Sequence, residues 1–392
     1  MLIFVLGRQP ALGLAELEAL FGGDAVRQIS YGCAMVDAKY GEELGRTLGG
    51  SMKIAEMVIK IPSSRMNKIY SASRNAIVKQ IVNNRAQTRI GLGLSAYGMQ
   101  VSEGQMHRLS FDIKRKSENE GKRIRITIGK GLDLNSAQVI HNKLIGDFGF
   151  EFILVGNKKE TYLARTVYVQ DIESYSKRDY ERPGRDTKIG MLPPKLAQMM
   201  LNLAGVREGM TVLDPFCGTG VVLMEAALKC AKVMGSDKNA KMVEYTKSNL
   251  KWLGTEYKLG IDIQWLGCAD ATVQKWKNHF DSVVTEVYLG PHMTRPPNER
   301  ELDRVVKECD MLVRKFLVNL RPQLSEGSRC CIAIPAWRMR QGFVHLPIIG
   351  QLESLGYLRV SFAHADSKRM IYHRQDQMVA RELLVLKKGA GQ

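Results

Sequence analysis

The segment TVLDPFCGTGVVLMEAAL, residues 211–228, constrains the fold more than any other part of the sequence. An apolar strand ends at an acidic residue, a glycine-containing turn follows, and an apolar helix begins directly after it. The two glycines of FCGTG allow the backbone to turn sharply and a ligand to approach it closely. In a parallel sheet such a turn lies at the carboxyl end of a strand, where α/β folds bind ligands. The residues predicted to form this cofactor-binding turn are Asp214, Phe216, Gly218, Thr219 and Gly220.

The rest of the C-terminal half repeats the same alternation. From residue 187 onward, apolar strands alternate with amphipathic helices, and the long helix in NERELDRVVKECDMLVRKFLVNL carries its apolar residues on one face. Repeated strand–helix units predict a mainly parallel sheet that helices cover on both sides. The fold class expected for 187–392 is therefore α/β, with a Rossmann-like, doubly wound sheet.

Two further acidic residues end the next two strands. Asp237 closes KVMGSD, and Asp270 closes the strand that follows. A carboxylate at the first position can accept hydrogen bonds from both ribose hydroxyls of a nucleoside cofactor, and one at the second can accept a bond from an adenine amino group. Aspartate is also common in turns at strand ends, so each residue alone is ambiguous. In series after the glycine turn, the two aspartates indicate a nucleoside-cofactor site.

Three segments precede this domain. Residues 1–60 have a strand–helix–strand pattern, and residues 61–170 form a small α+β unit that starts with a basic helix. Between its strand-like segments, LNSAQVIHNKLIGDFG is predicted to be a helix with Asn135 or Ser136 as its N-cap. Residues 171–186 are polar, contain Pro and Gly, and are predicted to be a linker. The alternating segments of the α+β unit, which are typical of strands, are RLSFDIKR, RIRITIGK, FEFILVGN and TYLARTVYVQ.

The chain is strongly basic, with 57 Lys and Arg against 40 Asp and Glu and a net charge of +17. Residues 51–130 contain 16 Lys and Arg against 5 Asp and Glu, whereas residues 1–50 contain 4 against 6. A local excess of this size favours a polyanionic partner, although a charged helix face is usually just solvated. The residues of the basic helix and its continuation that are predicted to contact phosphates are Arg65, Lys68, Arg74, Lys79, Arg85 and Arg89.

Composition argues against several other function classes. The seven cysteines are scattered without a C-x-x-C pair, and the seven histidines have no metal-ligand spacing. No metal site or disulfide framework is therefore expected, and a reducing cytoplasm fits best. No run of 18 apolar residues occurs, which predicts no membrane span. The first residues lack a basic leader and a cleavage site, so a strand and a helix are expected there instead of a signal peptide.

The glycine turn and the two aspartates together resemble the class I S-adenosylmethionine-dependent methyltransferases. Their F-x-G-x-G resembles the branch that methylates amino groups of nucleic-acid bases. RPGRDTKIGMLPPKLAQMMLNLAG (182–205), DPFCGTG and RTVYVQDIESYSKRDY (165–180) are similar to the tRNA guanosine N2-methyltransferases that act at position 10. This resemblance implies S-adenosyl-L-methionine as cofactor, tRNA as partner and a cytoplasmic enzyme. It also implies a ferredoxin-like segment at 1–60 and a THUMP-like RNA-binding domain at 61–170, in which LNSAQVIHNKL resembles a THUMP helix.

The catalytic motif departs from the family pattern. The family has Asp/Asn-Pro-Pro-Tyr after the fourth strand, where this chain has Thr285, Glu286, Val287 and Tyr288. In the family, the first side chain and the next backbone carbonyl accept hydrogen bonds from the target amine. The prolines hold that carbonyl in place, and the aromatic ring stacks on the base. The resemblance therefore implies that Thr285 and Glu286 accept the amine protons and that Tyr288 stacks on a flipped-out base.

Two residues near the motif and two alternative functions complete the expectations. His292 is expected to be a loop residue, and Trp337 belongs either to the site or to the core. One alternative function is a DNA adenine or cytosine amino-methyltransferase, which shares F-x-G-x-G but has a DNA-recognition insert that this chain lacks. The other is a catalytically silent RNA-binding protein that keeps the fold, which the substituted motif favours. The sequence predicts a tRNA (guanine-N2) methyltransferase and leaves the oligomeric state open.

Overall fold

A computed structural model of the chain describes residues 1–85, 89–186, 191–291, 293, 295, 297–374 and 377–389. These residues form two compact units, Met1–Ile172 and Glu173–Gln392. The predicted boundaries at residues 60, 170 and 186 stay predictions.

The first unit is an α+β fold built on one eight-stranded sheet in the order β2-β3-β1-β4-β8-β7-β5-β6. Its strands are β1 Leu2–Leu6, β2 Val26–Ser30, β3 Cys33–Val36, β4 Ser51–Ile61, β5 Ile90–Tyr97, β6 Ile124–Thr127, β7 Gly149–Gly156 and β8 Thr161–Val169. Its helices are α1 Pro10–Phe21, α2 Glu42–Thr47, α3 Met66–Val82, α4 Glu103–Asn119 and α5 Ser136–His141. Strand β4 lies near the middle, antiparallel to β1 on one side and to β8 on the other.

Local capping interactions explain where two of these helices begin. Helix α5 starts with a capping box in which Asn135 accepts a bond from the Gln138 backbone N–H and Gln138 accepts one from that of Asn135. This confirms Asn135 as the predicted N-cap. Helix α4 starts with an equivalent box between Ser102 and Gln105. The predicted strand RLSFDIKR, residues 108–115, was wrong because it lies inside α4.

A buried ion pair crosses the sheet of the first unit. Lys53 on β4 is 2% exposed, and its Nζ binds the carboxylate of Glu151 on β7 and the Leu134 carbonyl oxygen, the latter at 2.6 Å. Ser95 and Thr166 donate to the same carboxylate at 2.6 and 2.7 Å. The three side chains that donate to the carboxylate come from β4, β5 and β8, so Glu151 of β7 ties four strands of the unit together.

The second unit has the predicted α/β fold, with a nine-stranded sheet. Its main path is β11-β10-β9-β12-β13-β17-β15. The strands are β9 Thr211–Asp214, β10 Lys232–Asp237, β11 Ile263–Cys268, β12 Ser282–Glu286, β13 Arg329–Met339, β14 Gly342–Val344, β15 Tyr357–Arg359, β16 Ile371–Tyr372 and β17 Val379–Lys388. Strands β9 to β13 pair in parallel, whereas β17 runs antiparallel to β13 and β15. The strand order reverses between β9 and β12, and such a switch point is where α/β sheets bind ligands.

Helices cover the second sheet. They are α6 Ile172–Tyr180, α7 Pro194–Leu203, α8 Val221–Leu228, α9 Ala240–Glu256 and α10 Glu299–Leu320. Helix α10 buries the predicted apolar face, including Leu302, Cys309 and Phe316. Trp337 is fully buried in the same core, so it is a core residue.

The segment predicted as a linker, 171–186, contains helix α6. Arg178 of α6 pairs with Glu225 of α8 through two bonds of 2.6 and 3.3 Å, and both side chains are buried. Burial of Glu225 raises its pKa, and Arg178 opposes that rise. This ion pair packs α6 against the helix that follows the glycine turn.

Candidate functional site

The glycine turn has the conformation that its sequence predicts. Gly218 and Gly220 have φ of +51° and +81°, and Gly220 caps the N-terminus of α8. A Cβ on Gly220 would lie 2.8 Å from Cγ2 of Thr246. The positive φ and this close approach both exclude larger residues at position 220.

Asp237 and helix α9 hold the turn in place. Asp237 accepts bonds from the backbone N–H of Gly218 at 3.0 Å and of Asn239 at 2.8 Å. On α9, Thr246 donates to the Gly218 carbonyl at 2.9 Å, and Asn249 donates to the Thr219 carbonyl at 2.7 Å. Neither Thr246 nor Asn249 was predicted from the sequence. The only sequence feature that pointed to them was their spacing: two polar residues three positions apart among the apolar residues of a predicted helix.

Asp270 follows strand β11 and borders the cavity that is described below. It accepts bonds from the Thr272 backbone N–H and hydroxyl at 2.9 and 2.7 Å and from Lys238 at 3.0 Å. The bonds from Thr272, followed by Lys238, lower the pKa of Asp270 to about 2. Asp270 is therefore a carboxylate at physiological pH, as an acceptor for an amino group must be.

Asp214 and Thr285 are joined by a buried hydrogen bond. The Thr285 hydroxyl donates to Oδ1 of Asp214 at 2.6 Å, and Thr285 is fully buried. Burial raises the pKa of Asp214 to about 8, with smaller upward contributions from Asp237 and Glu286. Thr285 itself is not among the described residues that line the cavity.

Glu286 ends β12 and pairs with Arg381 of β17. Arg381 Nε donates to Oε1 of Glu286, and Arg381 Nη2 donates to the Met191 carbonyl at 3.4 Å. Their side chains are 17% and 4% exposed. Burial raises the pKa of Glu286, and Arg381 lowers it. Two residues further along, Tyr288 is 50% exposed.

These elements surround a cavity of about 1030 Å³ at the carboxyl edge of the parallel strands. Its volume lies at the upper end of the range for small-molecule sites. Met191, Lys315 and Arg381 also line the cavity, and none of them was predicted from the sequence. The predicted site residues that line it are Asp214, Phe216, Gly218, Thr219, Asp237, Asp270, Glu286 and Tyr288.

The predicted phosphate contacts lie apart from this site, in the first unit. Arg65 occupies the N-cap position of α3 without a side-chain capping bond, and Lys68 and Lys79 are exposed on the face opposite the buried Ile69 and Ile77. Arg74 is partly buried and lies 5.9 Å from the centre of the Tyr70 ring. Arg85 and Arg89 are exposed after the helix, on either side of residues 86–88, which are outside the described part of the chain.

Positive charge is divided between the two units. Residues 1–172 contain 24 Lys and Arg against 16 Asp and Glu, and residues 173–392 contain 33 against 24. Both units therefore have a net positive charge of similar size.

Two further features of the described residues concern metal sites and membrane spans. Among the described residues, no three His, Cys, Asp or Glu side chains are grouped to hold a metal ion. No helix in the described part of the chain is long and apolar enough to cross a membrane. His292, expected to be a loop residue, lies outside the described residues.

Comparison with known proteins gives one family match within the second unit and several similar proteins. Residues 182–346 match the family "RMKL-like, methyltransferase domain". The tRNA (guanine(10)-N2)-dimethyltransferase of Methanothermobacter thermautotrophicus is 35% identical over 147 residues, which are 37% of this chain and 39% of that protein. The probable tRNA (guanine(10)-N2)-dimethyltransferase of Methanothermococcus thermolithotrophicus is 34% identical over 111 residues, 28% of this chain and 68% of that protein. The match to this chain thus spans less than half of the first relative and about two thirds of the second.

A solved structure resembles the whole chain. The crystal structure of TrmN from Thermus thermophilus matches with a TM-score of 0.56 and 16% identity over 99% of both chains. At this identity the likeness concerns the fold alone, and it agrees with a class I methyltransferase fold for the second unit.

Proposed function

This chain belongs to the tRNA guanosine-10 N2-methyltransferase family, and from this membership we propose that it transfers a methyl group from S-adenosylmethionine to the exocyclic amine of a guanosine in tRNA. The observation that carries the proposal is the cavity, where the glycine turn, Asp237, Asp270 and Glu286 meet at the switch point of the sheet.

The hydrogen-bonding groups of the cavity suit this cofactor. S-Adenosylmethionine carries a methyl group on a positively charged sulfur, and losing that group leaves a neutral thioether. Asp237 would accept bonds from the ribose hydroxyls, since each carboxylate oxygen that receives a backbone N–H keeps a second lone pair. Asp270 would accept a bond from the adenine amine. The glycine turn would lie against the cofactor, and Thr246 and Asn249 would fix its shape.

Glu286 and Tyr288 would act on the substrate. A guanine amine is a weak nucleophile because its lone pair is delocalised into the ring, and it must release one proton when it gains the methyl group. Glu286 would accept that proton, and Tyr288 would stack on the flipped-out base. Positioning of the two reactants would supply most of the acceleration. We assign Thr285 a supporting role, because its hydroxyl is committed to Asp214.

The test is methyl transfer from labelled S-adenosylmethionine to total tRNA and to duplex DNA, followed by nucleoside analysis. We expect label in N2-methylated guanosine from tRNA. Label in adenine or cytosine from DNA would favour the DNA-methyltransferase alternative. Binding of cofactor and tRNA without transfer to either nucleic acid would favour the silent RNA-binding protein.

Replacing Asp237 with alanine is expected to weaken S-adenosylmethionine binding by about 1–3 kcal/mol, because the variant loses a charged acceptor and the bond that holds Gly218. Isothermal titration calorimetry measures the effect. Asp303→Ala removes an exposed carboxylate that pairs with Lys307 on α10 and should leave the affinity unchanged. Wild-type affinity in Asp237→Ala would remove this residue from the site.

We further propose that α3 contacts the RNA. Lys68 and Lys79 lie three turns apart on its exposed face, and Lys79 borders an open groove that also contains Lys116 of α4. The double variant Lys68→Glu/Lys79→Glu should bind tRNA more weakly. Since each lost phosphate contact removes a released counterion, the slope of log K against log salt should fall by about 1.5–2.

The matched control for this prediction reverses two adjacent charges elsewhere in the same unit. Lys158 and Lys159 are exposed between β7 and β8, and Lys158→Glu/Lys159→Glu changes the net charge by the same amount. Filter binding at several salt concentrations gives the slopes. An equal loss in the control would mean that α3 acts only through the net charge of the protein.

A further inference from the structure

The backbone at the substituted catalytic motif is fixed by a sheet hydrogen bond. The Val287 N–H donates to the Ala333 carbonyl at 3.0 Å, and the Val287 side chain is buried in the core. A proline at position 287 has no N–H to donate. This chain therefore holds the motif without the family's prolines, by extending the pairing of β12 with β13.

Arg381 fixes the side chain of Glu286 in a comparable way. Its guanidinium bonds to Oε1 of Glu286 and also to the Met191 carbonyl, which precedes α7. A guanidinium held at two points is a rigid support for a carboxylate. Among the described residues, none donates a hydrogen bond to Oε2 of Glu286, and Glu286 lines the cavity.

The burial of Glu286 makes this support necessary. Asp214 lies at the neighbouring strand end, and the ionisable side chains that line the same cavity also include Asp186, Asp237, Lys238, Asp270, Tyr288, Glu308 and Lys315. Burial raises the pKa of Asp214 to about 8, so this carboxyl is largely protonated at neutral pH. Burial also raises the pKa of Glu286, and Arg381, at hydrogen-bond distance, opposes that rise.

We propose that Arg381 is a positioning residue that keeps Glu286 ionised and oriented, with Oε2 available to the guanine edge. The inference rests on the proposed function. An ionised carboxylate can accept the adjacent N1–H and N2–H of guanine. Adenine and cytosine present a ring acceptor next to their amine, and this acceptor would repel the carboxylate. Arg381 thus favours guanine by fixing the charge state of Glu286.

The experiment compares pH–rate profiles of single-turnover methyl transfer to tRNA in full-length variants. In Arg381→Gln, loss of an opposite charge beside a carboxylate should move the acid limb of the profile upward by about 1–3 pH units. Activity at neutral pH should fall at least tenfold and recover as the pH rises. Arg381→Lys keeps the positive charge and should restore most of the wild-type profile.

Three controls separate positioning from a general structural effect. Arg359→Gln disrupts a neighbouring ion pair with Glu382 of β17, outside the cavity, and should leave the acid limb in place. The double variant Arg381→Gln/Glu286→Gln should be no slower than Glu286→Gln alone, because Arg381 acts through Glu286. Calorimetry should give Arg381→Gln the wild-type affinity for S-adenosylmethionine.

Either of two results would overturn the inference: an unshifted acid limb in Arg381→Gln, or additive losses in the double variant. If Arg381→Gln does not fold, the ionisation state of Glu286 can be measured in the wild type instead. Carbon-13 NMR of glutamate-labelled protein reports it, and Glu286→Gln assigns the signal. Glu286 must then be ionised at pH 7, and a protonated carboxyl there contradicts the inference. Absence of methyl transfer in the wild type would instead count against the proposed function.

Discussion

Glu286→Gln is expected to slow methyl transfer by about 10²–10³-fold, because one charge-assisted interaction with the reacting amine is lost. The amide keeps the shape of the side chain and can still accept the bond from Arg381, so the cavity should be preserved. Affinity for S-adenosylmethionine should hardly change, since Glu286 is not assigned to the cofactor. Single-turnover rates and calorimetry measure the two quantities separately.

The control removes a different negative charge from the same cavity. Glu308 of α10 is exposed, lines the cavity and lies 3.9 Å from Arg304 of the same helix. Glu308→Gln should therefore have nearly the wild-type rate. Similar losses in the two variants would show that the cavity depends on its total negative charge and that Glu286 has no specific role.

The largest stability loss is expected from Lys53→Met in the first unit. This variant leaves the fully buried Glu151 carboxylate without its cation, and breaking a buried ion pair on one side costs about 3–5 kcal/mol. Urea unfolding followed by circular dichroism measures the free energy of unfolding. In the double variant Lys53→Met/Glu151→Leu, the second change removes the unpaired buried carboxylate and should recover part of the lost free energy of unfolding.

Lys60→Met is the matched control on the same strand. Lys60 pairs with Glu160 at 2.6 Å, but its side chain is 49% exposed, so solvent screens the pair and its replacement should cost far less than that of Lys53. The four tryptophans, at 252, 265, 276 and 337, all lie in the second unit. The unfolding transition of Lys53→Met followed by tryptophan fluorescence should therefore match that of the wild type. An equal loss of stability in that transition would contradict a local effect of Lys53.

The cofactor side of the site was predictable because it depends on order along the chain. In a parallel sheet every strand ends at the same edge, so Asp214, Asp237 and Asp270 could be brought together from strand order alone. Arg381 was not predictable in this way. It reaches Glu286 because the last long strand, β17, inserts antiparallel beside β13, and nothing local in the sequence specifies that partner.

Local pattern also misled the prediction in the first unit. The segment 108–115 alternates polar and apolar residues over a short window, but the buried positions Met106, Leu109 and Ile113 follow helical spacing over a longer one. Strand β5, GLGLSAY with its preceding isoleucine, was missed. Its glycines lower strand propensity, although Gly93 is needed where a Cβ would lie 2.5 Å from Leu134.

The central place of β4 has a consequence for how the protein is made. One edge of β4 pairs with β1, which is synthesised before β4. The other edge pairs with β8 at Thr161–Val169, which is synthesised about 100 residues later. During that interval a nascent chain exposes an eleven-residue strand with an open edge, and open edges pair readily with other chains. Truncations that end between β4 and β8 should therefore aggregate during translation.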